Sequence, residues 1–281
     1  MDNEATGNLK NIENFNSDNI TLFRENIISS DLTKIFEGCD YVLHQAALPS
    51  VPRSVKDPLK SNDANIAGTL NVLVAARDAE VSKVVCASSS SVYGDTPTLP
   101  KVETMALNPK SPYAVTKATG EMYCKTFTEI YGLQTASLRY FNVFGPRQDP
   151  NSQYSAVIPK FVTAIAKGES PTIYGNGKQS RDFTFVKNVV KANILAAESK
   201  ETGAFNVACG RRIVLNDMVN IINKIMGKDI EPEYTDPRPG DIKHSLADIN
   251  KIKSLGYKAK DNFKAELKET IKFFIGANYE Y

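Results

Sequence analysis

The sequence predicts an α/β protein with a doubly wound parallel sheet and a second, smaller mixed α/β region. Three observations carry this. Short β-branched runs alternate with longer segments of helical periodicity through the first half, the pattern of βαβ units. Those runs are apolar without alternation, as strands covered on both faces are. The 281 residues are 42% hydrophobic and 23% charged, an ordinary globular balance that can bury a sizeable core.

In chain order, Ile20–Phe23 reads as a strand and Ser29–Phe36 as a short helix opened by a serine or aspartate. Tyr41–Ala46 reads as a buried parallel strand, followed by a loop with Pro49, Pro52 and Pro58. Leu59–Glu80 is helical, with Ile66, Leu70, Leu73 and Val74 on one face. Lys83–Ala87 is a strand, Tyr113–Tyr131 a long helix, and Thr135–Phe141 a further strand. After Gly145 proline, glycine and polar residues dominate, and the elements shorten. Helices are expected at Val157–Lys167, Lys187–Ser199, Leu215–Met226 and Phe263–Ile275, with strands near Thr172–Tyr174, Asp182–Val186 and Phe205–Ala208. A division into residues 1–145 and 146–281 follows, the second region interleaved with the first.

Composition excludes several roles. With 34 Lys+Arg against 32 Asp+Glu, the net charge of +2 lacks the basic footprint of a sequence-blind nucleic-acid binder. No run approaches the roughly 18 apolar residues of a membrane helix. The start, Met1-Asp2-Asn3-Glu4, does not resemble a secretion signal. Cys39, Cys86, Cys124 and Cys209 lie far apart and read as buried small hydrophobes in a reducing, cytoplasmic setting. Only two histidines, His44 and His244, are available, so no metal site is expected.

Two motifs carry chemistry. Tyr113 and Lys117 stand four apart, on one face of a helix. An ammonium beside a phenol favours the phenolate, which makes the tyrosine a usable base near neutral pH. The spacing alone is weak evidence, since Tyr174 and Lys178 repeat it in a glycine-rich loop. The second motif, Ala87-Ser-Ser-Ser-Ser-Val-Tyr-Gly94, follows a strand directly, so its hydroxyls lie where open α/β sheets place ligands. Strand-end serines followed by a helical Tyr/Lys pair are much more specific than either alone.

Together these motifs resemble the extended short-chain dehydrogenase/reductase family, specifically its NAD-dependent nucleotide-sugar epimerases, along essentially the whole chain. The resemblance implies a Rossmann-type sheet and a set of roles. Asp2 and Asn3 match the turn whose acidic residue holds the NAD ribose, and Asn26-Ile27 an Asp-Ile pair near the adenine. Ala46 and Ala47 belong to a segment under the cofactor, Asn65 supports it from a helix, and Ala87 lies against it. Tyr140 and Val143 flank the nicotinamide. Ser89, Tyr113 and Lys117 form the catalytic set, the last two also touching NAD. Ser50, Ser90, Ser91, Asn142, Gln148, Ala156 and Val157 line the substrate. Arg181 and Arg238 grip the diphosphate with paired guanidinium donors, and Asp241 the nucleotide ribose. A residue after Lys243-His244 gates the sugar's C2 substituent; tyrosine there excludes an N-acetyl group, and this chain has Ser245.

The implied reaction is 4-epimerisation of a UDP-hexose through a 4-keto sugar, with UDP-N-acetylglucosamine and UDP-N-acetylgalactosamine the expected pair. UDP-glucose or UDP-glucuronate are the alternatives. A related dehydratase or decarboxylase is disfavoured, because positions 88–91 are all serine where dehydratases carry an Asp-Glu pair. A homodimer through the two long helices is also implied. A rival of another class is a non-catalytic nucleotide-sugar-binding fragment. It is motivated by the absence of a phosphate-cradling glycine trio, which belongs roughly 20 residues before the ribose acid. The sequence starts one residue before that acid, so the first two strands of the sheet are expected to be missing and NAD retention weak.

Overall fold

The computed structural model describes residues 1–13, 15, 19–148, 157–237, 242–260 and 262–276. The fold is α/β with a parallel central sheet. Its four strands are β1 (Tyr41–His44), β2 (Lys83–Ser89), β3 (Gln134–Tyr140) and β8 (Gly203–Val207), hydrogen-bonded in the order β1-β2-β3-β8. β1 runs parallel to β2, with Tyr41 opposite Lys83 and His44 opposite Cys86. The remaining strands form three two-stranded pairs: β4 (Val143–Phe144) with β7 (Thr184–Phe185), β5 (Thr172–Tyr174) with β10 (Glu233–Thr235), and β6 (Ser180–Arg181) with β9 (Ile213–Val214).

Packing divides the chain into two compact units, more interleaved than a single break at 145/146. The first comprises Met1–Ser88, Ser111–Ser137 and Lys200–Gly203. It holds α1 (Leu32–Phe36), α2 (Val51–Lys56), α3 (Pro58–Asn62), α4 (Gly68–Asp78) and α5 (Pro112–Tyr131). A π turn, Asp63–Ala67, joins α3 to α4, so the expected long helix is continuous but carries a widened turn. Helix α5 is bounded by its own chemistry. Ser111 caps it by accepting the Ala114 N–H at 3.2 Å, Pro112 opens the first turn, and Gly132 ends it at φ 73°. The core of this unit gathers Leu32, Leu73, Val84, Cys86, Cys124 and Phe127.

The second unit comprises Ser89–Lys110, Leu138–Ser199 and Ala204–Tyr281. It contains α6 (Val157–Lys167), α7 (Val186–Glu198), α8 (Leu215–Met226), α9 (Asn250–Lys253) and α10 (Phe263–Gly276). Phe144, Phe161, Phe183, Phe185 and Phe263 share its core with Ile158, Met218 and Leu267. Among the described residues no helix is long and apolar enough to cross a membrane.

Several expectations are corrected. Ile20–Phe23 is not a strand: Ile20, Leu22 and Phe23 are exposed. Phe23 C=O accepts only the Asp2 N–H among the backbone bonds found there, and strand-forming residues without a ladder partner do not make a strand. β1 stops at His44, and Tyr41 and Leu43 on one of its faces are about half exposed, at 48% and 46%. The helix from Ser29 begins only at Leu32. The strand expected over Asp182–Val186 is two short ones flanking Asp182. Cys39 is exposed, unlike the other three cysteines.

Candidate active site

In the first unit, a cavity of about 250 Å³ is lined by Asp2, Asn3, Asn26, Ile27, Ala46 and Ala47 among others. Six residues predicted from separate motifs thus come together. The Asn26 side chain accepts the Ile28 N–H at 3.0 Å, and the Asp2 carboxylate accepts the Glu4 N–H at 2.6 Å, so both loops are locally braced. A carboxylate suits ribose hydroxyls, and Ile27, Ala46 and Ala47 suit a flat base. The volume is below the roughly 300–1,000 Å³ of drug-sized sites, so it suits a group smaller than a whole dinucleotide. The sequence offers no glycine trio for the diphosphate.

Asn65 sits in the π turn, 3% exposed. Its side chain accepts the Leu48 N–H at 2.7 Å and donates to the Leu48 C=O at 3.1 Å and Thr116 Oγ1 at 3.1 Å. One amide therefore fixes the backbone directly after Ala46-Ala47. Buried His44 meets Thr69 Oγ1 through Nε2 at 2.9 Å, and Thr69 Oγ1 donates to the Asn65 C=O at 2.6 Å. Burial, and secondly the Lys117 charge, lower His44 to about 3, so its ring is neutral.

Tyr113 and Lys117 occupy the first turns of α5, the Lys117 ammonium 6.0 Å from the Tyr113 ring centre. Lys117 Nζ donates to the Ala87 C=O at 2.8 Å, so Ala87 serves the lysine with its carbonyl. Desolvation pushes Lys117 down to about 8, against an opposing pull from the Cys86 and Cys124 thiols. It remains mostly charged at neutral pH, a state that can stabilise a nearby phenolate. One residue on, Ser88 Oγ donates to Glu121, one helical turn past Lys117. Two successive β2 residues are thereby tied to two successive turns of α5. Ser50 caps α2 by accepting the Arg53 N–H at 3.3 Å, with φ at 102°, a strained value for a non-glycine residue.

In the second unit, Ser90–Tyr93 form a single 3₁₀ turn capped by Ser89, whose Oγ accepts the Ser91 N–H at 3.2 Å. That bond uses an acceptor position and leaves the Ser89 O–H free to donate elsewhere. Ser91 Oγ and Gln148 Oε1 are buried with no hydrogen-bond partner among the described residues, an uncommon condition that a ligand would relieve. Gln148 Nε2 donates to the Val143 C=O at 3.2 Å. A cavity of about 230 Å³ is lined by Asn142, Val143, Val157 and Arg181 with Phe144 and Tyr174. A larger one, about 800 Å³, shares Arg181 and Tyr174 and adds Gly175 and Asn176 of the glycine-rich loop. Asn142, at φ 36°, donates to the Asp182 C=O at 3.1 Å and to Ser245 Oγ at 3.4 Å. Ser245 is held by its own N–H on the Ser180 C=O at 3.0 Å. Arg181 donates to the carbonyls of Ser180 and Lys243 at 3.1 and 3.2 Å. Ala156, Arg238 and Asp241 lie outside the described residues.

Sequence reasoning missed the residues that act through these. Asn193 Nδ2 donates to Tyr140 Oη at 2.8 Å, fixing that ring. Asp182, fully buried, accepts backbone N–H groups of Cys209, Gly210 and Ala247 at 3.0, 3.1 and 3.2 Å. Ser54 Oγ accepts the Tyr113 N–H at 3.0 Å. None has a local signal, because each partner lies far away in the sequence.

Comparison with known proteins identifies the family of the chain. The description of the NAD dependent epimerase/dehydratase family matches residues 5–208. A solved structure of a UDP-N-acetylglucosamine 4-epimerase from Methanobrevibacter ruminantium, in complex with UDP-N-acetylmuramic acid, is 49% identical with a TM-score of 0.96, covering 98% of this chain and 89% of that one. The Thermus thermophilus UDP-glucose 4-epimerase in complex with NAD is 34% identical with a TM-score of 0.88, covering 98% and 90%. A putative UDP-glucose 4-epimerase of Methanocaldococcus jannaschii is 36% identical, over 99% of this chain and 90% of its own. The chain belongs to the NAD dependent epimerase/dehydratase family and is an NAD-dependent enzyme.

Proposed function

We propose that this enzyme is a UDP-hexose 4-epimerase whose preferred pair is UDP-N-acetylglucosamine and UDP-N-acetylgalactosamine. The 4-epimerase reading is supported by the names of its relatives. The observation that carries the N-acetyl preference is Ser245, a small residue whose hydroxyl turns to Asn142 rather than filling space. In this reading residues 1–145 serve NAD and 146–281 the nucleotide sugar. Tyr113 takes the proton from the C4 hydroxyl, Lys117 stabilises the phenolate, and Ser89 donates its free O–H to the same sugar oxygen. Asp2, Asn3, Asn26, Ile27, Ala46, Ala47 and Asn65 hold the adenosine side of NAD, with Tyr140 and Val143 at the nicotinamide. NAD supplies a hydride acceptor and donor for the C4 carbon. Arg181 and Arg238 hold the diphosphate, leaving the hexose free to present either face.

Wild-type enzyme supplied with NAD is expected to turn over UDP-N-acetylgalactosamine at least as efficiently as UDP-galactose, measured as kcat/KM. Ser245→Tyr should lower the former by roughly 10- to 200-fold and spare the latter, the range a hydrophobic size filter achieves. Faster turnover of UDP-galactose by the wild type overturns the preference. In the same assay series, NAD titrated into Asn65→Ala should bind more weakly than into wild type.

We also propose a homodimer through the helices of the first unit. Val55, Leu59, Met122 and Ile130 are 64%, 77%, 60% and 68% exposed, an unusual load of large apolar side chains for a free surface. Sedimentation velocity should give twice the chain mass of 30.9 kDa, and a single-chain mass would refute it.

A further inference from the structure

We infer that Ser54 is a positioning residue for the base, linking the substrate loop at Ser50 to the Tyr113 phenol through one buried hydroxyl. The inference rests on Tyr113 being the base. The hydroxyl is fully buried and used in both directions: Oγ accepts the Tyr113 N–H at 3.0 Å and donates to the Val51 C=O at 2.8 Å. The Tyr113 N–H is one of the four amides that the start of a helix leaves without an intrahelical partner. The helix's own cap, Ser111, is spent on Ala114. Ser54 therefore supplies from a different helix what α5 cannot supply for its most important residue.

The other end of this link is a strained one. Val51 is the first residue of α2, directly after Ser50 with its φ of 102°. A ligand that presses on Ser50 moves Val51, and through the Ser54 hydroxyl the first turn of α5. That turn sets where the phenol stands relative to Lys117, whose ammonium is 6.0 Å from the ring centre, and the attraction between phenolate and ammonium falls with distance. Losing the Ser54 acceptor removes the bond that holds the Tyr113 amide in place, so the first turn of α5 loosens. The phenol then drifts from the cation and becomes a weaker acid.

The test uses the full chain with and without added NAD, and reads Tyr113 directly among the 12 tyrosines. Ultraviolet difference titration of each protein against the same protein carrying Tyr113→Phe isolates this phenol. Ser54→Ala should raise its titration by about one pH unit, with Ser54→Cys, a weak acceptor of similar size, in between. The acid limb of the kcat profile should move up by the same amount, and kcat near neutral pH should fall about tenfold. A merely structural role would lower the active fraction without moving either titration. An unshifted phenol in Ser54→Ala and Ser54→Cys, with Tyr113→Phe inactive, overturns the positioning role alone. Retained activity in Tyr113→Phe overturns the assignment of the base, and this inference with it.

Discussion

Tyr113→Phe lowers kcat by about 10³-fold and leaves UDP-sugar affinity nearly unchanged, as loss of a positioned proton acceptor should. The phenol can take a proton there, whereas Lys117 is largely charged and buried His44 on β1, near 3, is too weak a base. The ring itself stays, so packing and the Ser54 bond to the backbone are kept. Steady-state kinetics with either UDP-sugar, beside calorimetric titration of the same ligand, separates the two effects. A kcat within tenfold of wild type would remove Tyr113 from the chemistry.

Asp182→Ala should strongly destabilise the second unit. It strands three buried N–H groups, each costing about 1–3 kcal/mol, against a total stability of roughly 5–15 kcal/mol for a folded protein. The expected loss is about 3–6 kcal/mol near pH 5, measured by urea unfolding. The effect depends on pH with a definite sign. Burial lifts the Asp182 carboxyl from 3.8 to about 6, outweighing its three backbone hydrogen bonds and Arg211. A carboxyl that is a weaker acid when folded stabilises most below pH 4, and that contribution is lost as pH rises through 6. The gap between wild type and Asp182→Ala should therefore narrow by as much as about 3 kcal/mol between pH 4 and 7. A gap that widens with pH would show the carboxylate to be held ionised.

What the sequence disclosed, and what it withheld, follows from the range of the forces involved. Helices α6 and α8 match their expected limits because a strong amphipathic period is local information. The Tyr113/Lys117 pair was legible for the same reason, since four residues are one turn. Ile20–Phe23 misled because β-branched and aromatic residues favour strands only where a neighbour completes the ladder. Ser54, Glu121, Asp182 and Asn193 had no local signature. Their roles come from partners 59, 33, 27 and 53 residues away, which only the folded chain brings near.

The widened turn at Asp63–Ala67 has a consequence for how this chain can vary. An α-helix advances about 100° per residue, so a π turn, holding one residue more, rephases everything after it. Deleting one residue there would restore a regular helix with α4 in nearly the same phase, whereas a regular α turn over all five residues would rotate α4 by that angle. Buried Val72 and Leu73 would turn from the core, and Asn65 would leave Leu48. The widened turn thus keeps one additional residue in the helix without turning α4 from the core, and the Asn65 amide stands in it. A one-residue deletion here that spares Asn65 should therefore fold with α4 still facing the core.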